Sequence, residues 1–169
     1  MAAKKTSRTS SSTTTSSKRT TVKKSPLVTE PPREFSLQMG NGFGLLTERI
    51  GDGAMVATRV PAGATLEIGY WKEPTNLGSP ITTITLHARI DGELLPSAVI
   101  ANRDRTGRLL RAPARLELPK NAKHLEYWFE LKTEAGEPAW DSNWGNNHWL
   151  ELTAEVLPLD AEQAPRAEA

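Results

Sequence analysis

From Phe35 onward, apolar and polar positions alternate with a period of two in six separate runs. Phe35, Leu37 and Met39 share one face of the first run. Leu66, Ile68 and Tyr70 follow, then Ile84, Leu86, Ala88 and Ile90. Leu116 and Leu118 form a short run, and Leu125, Tyr127, Phe129 and Leu131 a longer one. Leu150, Leu152, Ala154 and Val156 close the series. Side chains alternate faces along a strand, so each run predicts a strand with one buried side. Turn-forming clusters stand between the runs: Gly40-Asn41-Gly42, Gly51-Asp52-Gly53, Pro61-Ala62-Gly63, Asp91-Gly92, Pro119-Lys120-Asn121 and Gly136-Glu137-Pro138. No stretch sustains a 3.6-residue apolar period. Short strands at this spacing predict an all-β fold, an immunoglobulin-like antiparallel β-sandwich.

The same phasing sorts the aromatic residues. Tyr70, Tyr127 and Phe129 fall on the core side, where large rings contribute most by burial. Trp128 falls between Glu126 and Glu130, on the opposite face to Tyr127 and Phe129. Trp149 shares its face with Glu151 and Glu155. Both indoles are expected to point outward. If their strands are neighbours, they form a cross-strand aromatic patch. The alternative is that another strand, the tail or a partner covers them.

Composition changes the picture at the ends. Residues 1–33 carry eight Lys/Arg and one acid, a net of +7, whereas residues 34–169 carry 13 Lys/Arg and 19 Asp/Glu, a net of −6. Between Thr6 and Thr21, 13 of 16 residues are Ser or Thr. Such a segment cannot bury enough surface to offset the entropy of ordering it. The expected organisation is a disordered basic tail over 1–33, the sandwich over 34–158 and a disordered acidic end over 159–169. The tail reads first as a solubilising tether and second as a weak, salt-sensitive contact for polyanions such as nucleic acid. A transit peptide would share its Ser-rich, acid-free composition but would need an amphipathic apolar face, which is missing. Cys is absent, no apolar run reaches membrane-spanning length, and no apolar leader follows the basic start. These features give the expectation of a cytoplasmic protein without membrane contact.

Candidate chemistry concentrates in Trp140-Asp141-Ser142-Asn143-Trp144-Gly145-Asn146-Asn147-His148-Trp149, which holds three of the five Trp. Indole faces stack on apolar surfaces such as sugar rings, and Asp and Asn side chains either bind hydroxyls or close turns. Asp141 and Asn143 can bond backbone groups two residues on, Gly145 permits an unusual backbone angle, and Asn147 can tie the loop to a neighbour. Oxygens of Asp141, Asn143, Asn146 and Asn147 could serve calcium, but the spacing fits no calcium loop. The three His, His87, His124 and His148, are scattered without zinc spacing. No nucleophile elbow or phosphate-cradling Gly loop is present. Glu126 and Glu130 share a strand face and are expected to be solvated rather than a glycosidase pair. Asn102 to Arg108 reads as a solvated polar connection. Neither a catalytic residue nor a cofactor is expected.

Leu125 to Leu131, followed by Trp140 to His148, resembles the C-terminal part of family-21 carbohydrate-binding modules, which are starch- and glycogen-binding β-sandwiches. Trp140, Asp141, Asn143, Gly145 and Asn147 match that signature. Ser142 stands where the family has a sugar-contacting Asn, and His148 where it has a closing aromatic. Ile84 to Gly92, with the Trp-rich segment, also resembles an uncharacterised bacterial domain family ending in Trp-Asp-Ser-Asn-Tyr-Gly-x-Asn. The resemblance implies a non-catalytic module that binds an α-glucan or related glycan through Trp140, Asp141, Asn143, Trp144, Asn147, Trp128 and Trp149. The alternative is a protein-interaction or accessory domain that uses the same aromatic face.

Overall fold

The computed structural model describes residues 30–40 and 42–154. The expected tail up to residue 29, Val156 and the expected C-terminal end lie outside the described residues. Thirteen strands and no helix make up the described chain: β1 Glu34–Gly40, β2 Phe43–Ile50, β3 Gly53–Val56, β4 Val60–Pro61, β5 Thr65–Lys72, β6 Ile81–Ile90, β7 Glu93–Leu94, β8 Ala98–Arg103, β9 Leu109–Arg111, β10 Ala114–Glu117, β11 His124–Thr133, β12 Pro138–Asp141 and β13 His148–Thr153. No helix among them is long and apolar enough to cross a membrane.

The strands form two mixed sheets packed as a sandwich. The first runs β10-β5-β1-β2-β3, and the second runs β4-β13-β11-β6-β8-β9 with β12 on β11 and β7 on β6. The expected antiparallel arrangement holds for most neighbours, but β1–β5 and β4–β13 are parallel. The reason is the path of the chain. After β3 it leaves the first sheet, touches the edge of the second as β4, and returns as β5 beside β1. That connection is long enough to bring two strands side by side in the same direction.

The core is filled by the residues that the alternation singled out. Phe35, Leu37, Met39, Leu66, Ile68, Tyr70, Ile84, Leu86, Ala88, Leu125, Tyr127, Phe129, Leu131 and Leu152 are all buried. Tyr70 meets Phe129 edge to face across the sandwich, with centroids 5.0 Å apart and planes at 77°. Leu116 and Leu150 are only partly buried, and two further positions depart from the pattern. The last strand ends at Thr153, so Ala154 is exposed rather than a core residue. Ile90 is only partly buried, because its strand ends there in the Asp91-Gly92 turn. Asp91 and Gly92 sit at φ 49° and 86°, as a two-residue hairpin turn requires. The Asp91 carboxylate then accepts the backbone N–H groups of Lys123 and His124, so this turn also fixes the start of β11.

Candidate functional site

The second sheet places the Trp-rich segment on one edge of β11. There β12 pairs with the second half of β11 and β13 with the first half. Asp141 lies opposite Phe129, and His148 opposite Tyr127. A continuous strand would have one residue between those positions. Here Ser142 to Asn147 fill the place and are extruded as a loop.

Asp141 and His148 share the core-facing side of their register partners and close the neck of that loop. The His148 imidazole Nε2–H donates to Asp141 Oδ1 at 2.9 Å. The Tyr70 hydroxyl, from β5 in the other sheet, donates to Asp141 Oδ2 at 2.6 Å. One carboxylate therefore joins the loop neck to both sheets. The His148 ring also stacks on Tyr127, with centroids 5.2 Å apart and planes at 20°. Burial works to raise the Asp141 carboxyl, but the bonds from His148 and Tyr70 outweigh it and hold its pKa below the ordinary carboxylate value. Burial, reinforced by the Asp141 bond, drives the Tyr70 phenol far above its usual range. Burial, with the nearby Asp141 charge, pushes Tyr127 up to about 12.

Backbone bonds tie the loop itself. The Ser142 carbonyl accepts the N–H groups of Gly145 and Asn147, at 3.0 and 2.7 Å, and the Asn143 carbonyl accepts that of Asn146 at 3.2 Å. The Asn143 amide donates to the Asn147 carbonyl at 3.3 Å. Asn143, Trp144, Gly145 and Asn147 all take positive φ, at 47°, 57°, 85° and 58°. Asn and Gly tolerate that region, whereas a bulky aromatic is an outlier there. Trp144 nevertheless occupies it and is 99% exposed. The Asn147 amide donates to Glu126 Oε1 at 2.6 Å, and the Trp149 indole N–H to the Asn146 carbonyl at 2.9 Å.

Trp140 and Trp149 lie on the outer face of the sheet, opposite Glu130 and Glu126 respectively, and more than half of each is exposed. Trp128 also faces outward, as its phasing requires, and β11 and β13 are neighbours. Its ring stacks on His87 (centroids 5.6 Å apart, planes at 13°) and lies 5.2 Å from the Arg89 guanidinium. Those contacts occupy Trp128; Trp140 also touches the His87 ring, tilted at 40° with centroids 5.9 Å apart, yet Trp140, Trp144 and Trp149 each keep more than half of their surface exposed. Two expectations need correction. Glu126 is buried and Glu130 partly so, because Glu126 pairs with Arg89 and Asn147 and Glu130 with Lys132 and His87. Asp141 bonds no backbone group two residues on, since Tyr70 and His148 hold both its oxygens. Among the described residues no group of three His, Cys, Asp or Glu is placed to hold a metal.

The sequence pattern missed Tyr70 as a partner of Asp141. The two are 71 positions apart, and Tyr70 reads simply as a core ring. It also missed Trp71, a half-exposed indole on the outer face of the first sheet. Trp71 lies over Gly40, where an added Cβ would come within 2.8 Å of the indole nitrogen. An open depression of about 370 Å³ between Glu73 and Ile81, with Arg103 in its wall, is lined by none of the Trp.

Fold and site together define a small β-sandwich domain with a braced, aromatic-bearing loop on one sheet edge. The chain belongs to the DUF6209 family, a family of unknown function, whose model matches residues 59–153. That span holds β4 to β13 and the whole Trp-rich loop. No curated protein and no solved structure matches the chain.

Proposed function

We propose that the domain, an immunoglobulin-like sandwich in our reading, is a non-catalytic binding module that takes an α-glucan or related glycan on the exposed indoles of Trp140, Trp144 and Trp149. The observation that carries this is Trp144. A fully exposed Trp at positive φ contributes nothing to the core and strains its backbone by about 1–3 kcal/mol. Such a residue is explained by a role outside folding. Trp140 and Trp149 flank it, and the indole N–H of Trp149 is fixed to the loop backbone, so the platform is set before a ligand arrives. Asp141, Asn143 and Asn147 then serve as braces behind the rings, and Trp128 as a packed support. The resemblance to starch-binding modules supports the same ligand class.

A few stacked rings with sparse polar anchors give weak affinity, on the order of 0.1–1 mM. Isothermal titration with maltoheptaose tests the reading. Wild type should bind, and Trp144→Ala combined with Trp140→Ala should not. Absence of heat at about ten millimolar sugar, with the domain shown to be folded, overturns the glycan assignment. A second reading is favoured by one further observation: Leu94 and Val99, both more than half exposed, widen the same outer face beyond the Trp. A flat mixed surface of that kind suits a protein partner.

A further inference from the structure

Strand β3 is the open edge of the first sheet and pairs only with β2 among the described residues. Edge strands are usually protected by Lys, Pro or a bulge. This one reads Gly53-Ala54-Met55-Val56 and contains none of these. Met55 is 62% exposed and Val56 75%. The neighbouring charges on β2 are already neutralised, Glu48 by Arg33 and Arg49 by Glu34.

The hydrogen-bond pattern of the edge follows from its register. Ala57 N–H donates to Leu46 C=O, so Leu46 and Ala57 form a bonded pair. Bonded and non-bonded pairs alternate in an antiparallel ladder. Glu48–Met55 and Ile50–Gly53 are therefore the other bonded pairs, and Thr47–Val56 and Arg49–Ala54 are not. It follows that the N–H and C=O groups of Ala54 and Val56 point away from the sheet.

We propose that a second copy of this chain pairs with β3, antiparallel about a two-fold axis at Met55. In that register Ala54 faces the partner's Val56 and Val56 faces the partner's Ala54. Each pair exchanges two backbone bonds, four in all, and every bond stays within β3. Side chains on the outer face remain on one continuous face, with small Ala54 beside large Val56. The two Met55 side chains meet on the axis as a non-bonded pair. No unpaired charge enters the contact. The interface is short and falls below the roughly 1,200 Å² of a standard complex, so self-association is weak, on the order of 0.1–1 mM. The inference is independent of the glycan reading, because it uses the opposite sheet.

The chain has no Cys, which permits a direct test. Met55→Cys puts two thiols on the axis of a non-bonded pair, where Cβ atoms approach to about 4.5 Å, the upper end of the range a disulfide spans. Phe43→Cys, exposed on β2, is the control. Under mild oxidation Met55→Cys should form covalent dimer at least tenfold faster than Phe43→Cys. Sedimentation equilibrium of the wild-type chain up to about 1 mM should show mass rising toward that of a dimer, and Val56→Lys should reduce association at least fivefold with an unchanged melting temperature. Equal oxidation rates for the two Cys variants, a wild-type monomer throughout, or a Val56→Lys variant that associates as strongly as wild type overturns the proposal.

Discussion

Replacing Asp141 with Ala tests the brace beneath the loop. The substitution leaves the buried Tyr70 hydroxyl and the His148 Nε2–H without an acceptor. Each buried donor left unpaired costs about 1–3 kcal/mol. Release of the half-buried carboxylate from its own desolvation returns part of that, which leaves a net loss of about 2–4 kcal/mol. For a domain of about 125 residues, 1 kcal/mol moves the melting temperature by about 4 °C, so the midpoint should fall by about 8–16 °C. Tyr70→Phe removes one donor and strands none, so it should cost about 1–2 kcal/mol. The double variant should lose less than the sum of the two, with a coupling of about 1–2 kcal/mol. The acid limb gives an independent check. The folded pKa of Asp141 lies below its ordinary value, so its contribution is complete above about pH 4 and is lost as pH falls through the folded pKa. Asp141→Asn should remove that part of the acid destabilisation. Urea titrations followed by far-UV circular dichroism at neutral and acid pH read all four variants. An unchanged midpoint for Asp141→Ala, or strict additivity with Tyr70→Phe, would refute the brace.

Three further outcomes follow from packing and backbone. Phe129→Ala should cost about 3–5 kcal/mol by emptying the centre of the core, whereas Trp128→Ala on the outer face should cost less than half of that; equal losses in urea titration would contradict the two faces of β11. Both Tyr of the chain are held neutral, Tyr127 with a pKa of about 12 and Tyr70 higher. Absorbance near 295 nm should therefore stay flat to about pH 11 in the folded protein, with stability falling as pH rises past the ordinary phenol value near 10. Trp144→Gly relieves the positive φ and exposes nothing new, so it should leave stability unchanged or raise it by up to about 1 kcal/mol. A clear loss of stability in thermal melts would show that the indole packs after all.

The sequence made the core legible because its signal is local. Six alternating runs map onto β1, β5, β6, β10, β11 and β13, and one face of β11 turned Trp128 outward while burying Tyr127 and Phe129. Other strands escaped. β4 and β7 are two residues long, and β2 and β3 bury only Leu46 between them, so burial stamps no alternation on them. The parallel pairs escaped as well, since alternation carries no information on strand direction. At the site, the Trp and the turn-forming residues could be read directly. The ties of Asp141 to Tyr70, Asn147 to Glu126 and Trp128 to His87 could not, because they join side chains brought together only by strand pairing and sheet stacking.

The most direct test of the binding site is a two-dimensional proton–nitrogen spectrum of the indole N–H groups during titration with maltoheptaose. The chain has five Trp, hence five such signals, each assignable by single substitution. Trp140, Trp144 and Trp149 should shift together with one affinity, Trp128 should move little, and Trp71 on the other sheet should stay fixed. Five unmoved signals at saturating sugar, or a shift confined to Trp71, would rule out glycan binding at this loop.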